Sequence, residues 1–136
     1  MKKKILIIIG VVIGVLALGF GIFMIVMASH FKEQEEVRKM PINEIDLLKV
    51  SDGNYIGGFS YGNFTYEVEV LVREHQIENI KILKNRDSKH AKKGEGVVDK
   101  VMKNQSLGVD VVTGATTTTK ALLKAIENAL TKGIVQ

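Results

Sequence analysis

The stretch from Asp110 to Thr119 holds the residues of this chain that are best suited to chemistry. It reads Asp-Val-Val-Thr-Gly-Ala-Thr-Thr-Thr-Thr and precedes an apolar helical pattern. The first turn of a helix leaves backbone N–H groups without partners, and the helix dipole makes that end positive, so it binds anions such as phosphate. Gly114 and Ala115 leave the approach open. The threonine hydroxyls can donate to phosphate oxygens or accept an ester.

A plain helix N-cap is the competing interpretation of this stretch. Threonine is a good N-cap residue, and a threonine-rich lead-in alone favours that structural role.

The segment Asp110-Val111-Val112-Thr113-Gly114-Ala115-Thr116 resembles the attachment motif of the FMN-binding domain family, Asp-x-x-Ser/Thr-Gly-Ala-Thr/Ser. This family includes small flavin-carrying subunits of Rnf- and Nqr-type electron-transfer complexes and related membrane-anchored extracellular redox proteins. Asp52-Gly53-Asn54-Tyr55-Ile56-Gly57 matches the pattern that opens such domains, and Ile77-Glu78-Asn79-Ile80 matches a later strand. The resemblance spans roughly Ser51 to Leu130.

The resemblance implies FMN as the cofactor, joined through its phosphate to Thr116 by a separate flavin transferase that uses FAD. Thr113 would bind phosphate or shape the turn, and Thr117 is a candidate phosphate contact. Asp110 would orient the loop or meet the transferase, unless it only caps a turn. The predicted cofactor-binding residues are Asp110, Thr113, Gly114, Ala115, Thr116 and Thr117.

Other residues near the motif carry weaker indications. Tyr55 is either a stacking partner for the flavin or a core aromatic, with the core favoured, and Thr118 and Thr119 fit ordinary helix-start positions. His75 and His90 have no ligand partner at useful spacing, so no metal site is predicted. No acid–base pair is evident, which favours a carrier over an enzyme and gives no catalytic residues.

A basic set could steer an acidic redox partner, although a solvated surface is the favoured interpretation. Its members are Lys81, Lys84, Arg86, Lys89, Lys92 and Lys93.

Hydrophobic periodicity predicts an α+β domain, a small antiparallel sheet with helices on one face. The motif that begins at Asp110 lies between two predicted helices, which are given with the other elements below. The predicted strands are Tyr55 to Tyr61, bulged at Gly57 and Gly58, Phe64 to Arg73, and Ile77 to Leu83. Lys84 to Lys93 is predicted to be a loop, Glu95 to Asn104 a helix, Val111 and Val112 a short extended piece, and the residues after the threonines a helix ended by Lys132 and Gly133.

The N-terminus predicts a membrane anchor. Ile5 to Met27 is apolar without charge or proline, and three lysines precede it. About 20 such residues span a bilayer as a helix, and the positive-inside rule places the N-terminus in the cytoplasm with the rest outside. A cleaved signal peptide is the alternative, but the run is longer than such peptides use. Gly10 and Gly14 form a small-residue pair that suits either helix contact or ordinary membrane-helix glycine.

Composition sets the remaining bounds. Of 19 basic residues three lie before the apolar run, so the remainder carries 16 basic against 15 acidic residues, and nucleic-acid binding loses its support. The chain has no cysteine and hence no disulfide. We expect three regions: 1–28, lysines and anchor; 29–49, a stalk that continues as a helix to about Lys39; and 50–136, the FMN-binding domain.

The expected function is that of a membrane-anchored, extracytoplasmic electron carrier with redox partners at the membrane. Two alternatives stay open at this stage. One is a module that binds FMN reversibly, and the other is a flavin-free interaction domain on a membrane stalk.

Overall fold

The computed structural model describes residues 1–135, and the chain divides into two compact units. The first, Met1–Gln34, is most of helix α1, which runs over Lys2–Lys39 as predicted. An 18-residue window of α1 has a mean hydropathy of 3.0, so the helix is long and apolar enough to cross a membrane.

The second unit, Glu35–Gln136, is built on a three-stranded antiparallel sheet in the order β1-β2-β3. The strands are β1 (Gly53–Tyr61), β2 (Phe64–Arg73) and β3 (Gln76–Lys84). Alternation along β2 buries Tyr66, Val68, Val70 and Val72 on one face, as the period of two predicts. Glu74 and His75 both have positive φ and make the tight second turn.

Helix α4 (Thr116–Thr131) packs across the buried face of this sheet. Its inward face carries Leu122, Ile126 and Leu130, all almost completely buried, at the expected 3.6-residue spacing. The α+β architecture predicted from the sequence is therefore confirmed.

Gly57 lies where α4 comes closest to β1. A Cβ atom on Gly57 would lie 2.1 Å from the Ala125 carbonyl oxygen and 2.3 Å from the Ala129 nitrogen. The predicted close backbone approach is present. The predicted bulge is not, because β1 pairs with β2 in unbroken register; the irregularities lie between β2 and β3.

The segment between β3 and the attachment motif contains two helices rather than one. Helix α3 (Val97–Asn104) matches the prediction, but α2 (Lys89–Gly94) lies where Lys84 to Lys93 was predicted to be a loop. Ser88 caps α2 by accepting a hydrogen bond from the Ala91 N–H at 3.2 Å. This short helix was missed because half of its six residues are lysine and it has no apolar period.

The segment before the sheet belongs structurally to the second unit. Val37 is 5% exposed, and Glu44 accepts hydrogen bonds from the Ser106 hydroxyl and from the Leu107 and Gly108 amides at 2.8–3.0 Å. The Asn43 amide and side chain donate to the Glu127 carboxylate. Residues 35–49, most of the predicted stalk, thus form a strap over α4 and the loop after α3.

Gly133 follows the end of α4, as predicted, but its backbone does not have the conformation of a typical helix-ending glycine. Its φ is not positive, so it is no left-handed helix terminator. A Cβ there would lie 2.6 Å from the Tyr55 ring and 2.7 Å from Val50. The glycine instead lets the chain pass these side chains, and Val50 then pairs with Ile134.

Candidate functional site

The residues before α4 form a tight turn. The Ala115 N–H donates to the Val112 carbonyl at 2.9 Å, and Gly114 has φ +79°. A bond between the first and fourth residues with positive φ at the third is the pattern of a type II turn, which favours glycine there. Gly114 is therefore required by the backbone, and Thr113 is left exposed at the second position of the turn.

The start of α4 lacks the usual caps. Its N-cap residue is Ala115, no side chain caps the helix, and no acidic residue lies in its first turn. None of the five threonines near this helix start occupies the N-cap position. That position is taken by alanine, which is a poor capping residue. The N–H groups of the first turn point out of the helix end without an intrahelical acceptor, as at any helix start.

The four threonines of the first turn divide into two pairs. Thr118 and Thr119 are buried, and the Thr119 hydroxyl accepts a hydrogen bond from the Val112 N–H at 3.3 Å, which ties the turn to the helix. Their interpretation as structural helix-start residues fits this geometry. Thr116 and Thr117 are half-buried, and within residues 1–135 their hydroxyls form no side-chain hydrogen bond.

Asp110 and Ala115 differ in their exposure to solvent. Asp110 is exposed, and its backbone carbonyl accepts a hydrogen bond from the Lys100 ammonium at 3.0 Å. Its carboxylate forms no hydrogen bond or ion pair in the described chain, so no turn-capping role is seen. Ala115 is buried and faces Gly94, so its methyl group lies inside the domain rather than beside the phosphate approach.

A lysine that sequence reasoning did not assign to the site lies against the turn. A Cβ on Gly114 would be 3.5 Å from the Lys93 ammonium nitrogen. Lys93 was grouped only with the surface basic set. Ser88 and Gly94, which bound α2, are the signal that could have identified the helix on which Lys93 lies.

Three other members of the basic set have partners within the domain. Lys84 pairs with Glu67 at 3.6 Å, and Lys92 pairs with Asp87 at 3.9 Å. The guanidinium carbon of Arg86 lies 3.8 Å from the centroid of the Phe64 ring, a cation–π contact.

An aromatic cluster adjoins the start of α4. The Tyr61 and Tyr66 rings are stacked with centroids 5.8 Å apart, and their hydroxyls lie 3.2 Å from each other. Burial, helped by the Tyr61 hydrogen bond, raises the pKa of the Tyr66 phenol above its usual range, although Thr118 opposes this shift. Tyr66 therefore stays neutral and links the sheet to the first turn of α4.

Tyr55 is half-buried and packs against the core at the opposite end of α4. Its hydroxyl bonds to the Ser51 hydroxyl at 2.7 Å, and its ring lies against Gly133. A helix of 16 residues is about 24 Å long, so Tyr55 lies far from Thr116. The core interpretation is therefore the correct one for Tyr55.

In the part of the chain that the structure describes, His75 and His90 form no hydrogen bond with the motif. His75 bonds to the Val50 carbonyl through Nδ1 at 3.2 Å, and His90 is exposed on α2. Within residues 1–135 no group of three or more His, Asp or Glu side chains is placed to hold a metal.

The arrangement suits a phosphate monoester. The first-turn amides supply donors, Gly114 leaves the approach free of a side chain, and Lys93 supplies a positive charge. Thr116, the first helical residue, presents a hydroxyl at the same end. The elements thus bring Thr113, Gly114, Thr116 and Thr117 together, while Ala115 supports them from within.

Comparison with known proteins supplies the family. A model of the FMN-binding domain matches residues 61–131, slightly more than half of the chain, which include the second and third strands, the three later helices and the whole motif. No curated protein matches the chain significantly.

Proposed function

The chain belongs to the FMN-binding domain family, and from this premise we propose that it is a membrane-anchored electron carrier that holds FMN outside the cytoplasm through a phosphoester bond to Thr116. FMN is the cofactor that the family implies. The covalent bond, the carrier role and the orientation are proposals for this chain.

The uncapped start of α4 is the observation that carries the proposal. An alanine occupies the N-cap position, and Thr116 and Thr117 keep their hydroxyls free within the described chain. A serine, threonine or asparagine cap would stabilise a helix by about 1 kcal/mol over alanine. A start without such a cap leaves its amides available to the phosphate of FMN.

In the proposed attachment step, FAD is the donor of the FMN group and a separate flavin transferase is the catalyst. The Thr116 hydroxyl oxygen forms a bond to the phosphorus on the FMN side of the pyrophosphate. The bond from that phosphorus to the bridging oxygen breaks, AMP leaves, and the hydroxyl proton is released. Exposed Asp110 is available to contact the transferase.

The role of the protein in this function is to hold the flavin in position. Once bound, the flavin ring supplies the electron transfer. The first-turn amides and Thr117 hold the phosphate, and the turn at Gly114 keeps the backbone close to it. A covalent tether keeps the cofactor on the protein whatever its free concentration outside the cell.

The N-terminal sequence supports an outward-facing domain. Lys2, Lys3 and Lys4 precede the apolar part of α1, and no acidic residue occurs before Glu33. By the positive-inside rule this asymmetry favours a cytoplasmic N-terminus. The redox partners would then be proteins at the outer face of the same membrane.

The test is co-expression with a flavin transferase followed by mass spectrometry. Trypsin releases the attachment loop as the peptide from Asn104 to Lys120, which contains five threonines. We expect the mass increment of a phosphoester-linked FMN on this peptide, assigned by fragmentation to Thr116. The Thr116→Ala variant should lack the increment, and Thr116→Ser should restore it.

The controls separate the alternatives. Thr117→Ala should keep the increment, because this hydroxyl only contacts the phosphate. Flavin that copurifies but leaves on denaturation would show a reversible module. A colourless wild type after supply of both transferase and excess FMN would indicate a flavin-free interaction domain.

A further inference from the structure

Lys93 extends from the last turn of α2 to the turn that precedes α4. Its ammonium lies beside Gly114, at the positive end of the α4 dipole, and the first turn of α4 contains no acidic residue. Within residues 1–135 the ammonium makes no ion pair or side-chain hydrogen bond. Two positive features thus meet without a counter-charge from the described chain.

The fold holds α2 in this position. A Cβ on Gly94 would lie 2.7 Å from the Thr118 methyl carbon, so the glycine allows α2 to touch the first turn of α4. The Asn85 side chain donates to the Ala91 carbonyl at 3.1 Å and to the Glu95 carboxylate at 2.7 Å. The base of the Lys93 side chain is therefore fixed beside the loop.

The last turn of α2 offers a matched comparison within the same element. Lys92 and Lys93 both lie there, where a cation interacts favourably with the dipole of α2. Lys92 points to Asp87 at the other end of α2, whereas Lys93 lies beside Gly114. The dipole of α2 favours a cation at either position equally. It therefore does not explain why the Lys93 side chain lies at the turn.

We propose that Lys93 is a positioning residue that recognises the phosphate of FMN and makes the site select FMN over riboflavin. This inference rests on the proposed position of that phosphate at the start of α4. The cation would complete a site whose other donors are backbone amides. The same phosphate would supply the counter-charge that Lys93 lacks.

The experiment compares two flavins that differ only in the phosphate. The full chain carrying Thr116→Ala is kept in detergent micelles, so that no ester forms, and equilibrium dialysis measures the dissociation constants of FMN and riboflavin. The variants Lys93→Gln and Lys92→Gln are made in this background. The riboflavin arm also reports partition of flavin into the micelles, which is the same for every variant.

The expected result is a loss confined to one lysine and one ligand. Lys93→Gln should weaken FMN binding by about 2- to 5-fold, the usual range for an exposed charge at a helix end, and leave riboflavin binding unchanged. Lys92→Gln should change neither constant. At about 1 M salt, where the Debye length is about 3 Å, the effect of Lys93→Gln should largely disappear.

Three results would overturn the inference: equal losses for the two lysine variants, an equal loss for riboflavin, or FMN binding that does not depend on Lys93. Failure of FMN to bind at all would also count against it. Because this assay uses no transferase, a missing increment on Thr116 would refute the covalent attachment while leaving a Lys93-dependent preference for FMN intact.

Discussion

Glu127 is a buried charged residue whose carboxylate is hydrogen-bonded to the strap. Its carboxylate lies on the buried side of α4 and accepts hydrogen bonds from the Lys124 ammonium at 2.8 Å and from Asn43 at 3.0–3.1 Å. Burial by itself would raise the pKa of this carboxyl, but the bonds from Lys124 and Asn43 outweigh it and lower the pKa.

The stability of the folded domain therefore depends on pH. Because the folded pKa of Glu127 lies below the unfolded value near 4.5, its contribution is present above that pH and is lost as pH falls through the folded pKa. Glu127→Gln should lower the free energy of unfolding by about 1–3 kcal/mol at pH 7. The gap to wild type should narrow towards pH 3 in denaturant titrations.

Glu78→Gln is the matched control, since Glu78 forms an exposed pair with Arg73 at 3.3 Å. That pair should contribute less than about 1 kcal/mol. Equal effects of the two substitutions, or a Glu127→Gln deficit independent of pH, would contradict the account of Glu127.

At the residue scale, the sequence predicted the identity of the motif but not the use of each side chain. Gly114 could be predicted, because a glycine in a turn indicates positive φ. The inward position of Ala115, the bond from Val112 to Thr119 and the place of Lys93 depend on how α2 and α4 pack. Such contacts between distant residues leave no local pattern to find.

At the scale of elements, the packing of α4 on β1 depends on Gly57. Gly57→Ala would place a methyl carbon 2.1 Å from a helix carbonyl, so α4 and β1 must move apart. We expect a loss of at least 1–3 kcal/mol in the free energy of unfolding, the usual cost of overpacking. Thermal and denaturant unfolding measure it.

The neighbouring residue supplies the control for this prediction. A Cβ on Gly58 has the Tyr66 carbonyl oxygen at 3.4 Å as its nearest neighbour, a contact that small shifts can relieve. Gly58→Ala should therefore cost much less. A similar loss for both substitutions would show that strand propensity, rather than contact with α4, explains the glycine.

The elements differ in how far the sequence could predict them. The period of two fixes β2, and the 3.6-residue period fixes α3 and α4, because each has one buried face. Helix α2 has six residues and four of them are polar, so it carries no such pattern. Gly133 could be assigned to the end of a helix, but not to its contact with Tyr55, which lies at the start of the sheet.

At the scale of the molecule, the strap makes residues 35–49 part of the folded domain. A chain that begins at Glu35 should be soluble and should keep the wild-type unfolding transition of the domain. A chain that begins at Val50 should unfold at lower temperature, because it loses the burial of Val37 and the bonds of Glu44. The combined loss should exceed about 2 kcal/mol.

Circular dichroism melts of the two truncated chains test this boundary. Identical melting temperatures would show that the strap is only a linker. The strap was not predicted because Glu44 and Asn43 are polar, and their partners on the loop after α3 and on α4 lie more than 60 residues away.

The orientation of the whole chain can be tested with single cysteines, since the sequence contains none. Asn63→Cys lies in the exposed turn between β1 and β2 and should react with a membrane-impermeant maleimide in intact cells. A cysteine at Lys2 should react only after lysis. The opposite pattern would place the domain in the cytoplasm and contradict the proposed carrier role.

The proposed bond between FMN and Thr116 can be tested by flavin fluorescence in a denaturing gel, because only a covalently attached flavin stays with the denatured chain. Wild type, Thr116→Ala, Thr116→Ser and Thr117→Ala are each co-expressed with a flavin transferase. We expect a fluorescent band for wild type, Thr116→Ser and Thr117→Ala and none for Thr116→Ala. A fluorescent Thr116→Ala band, or a dark wild type, would contradict the proposed bond.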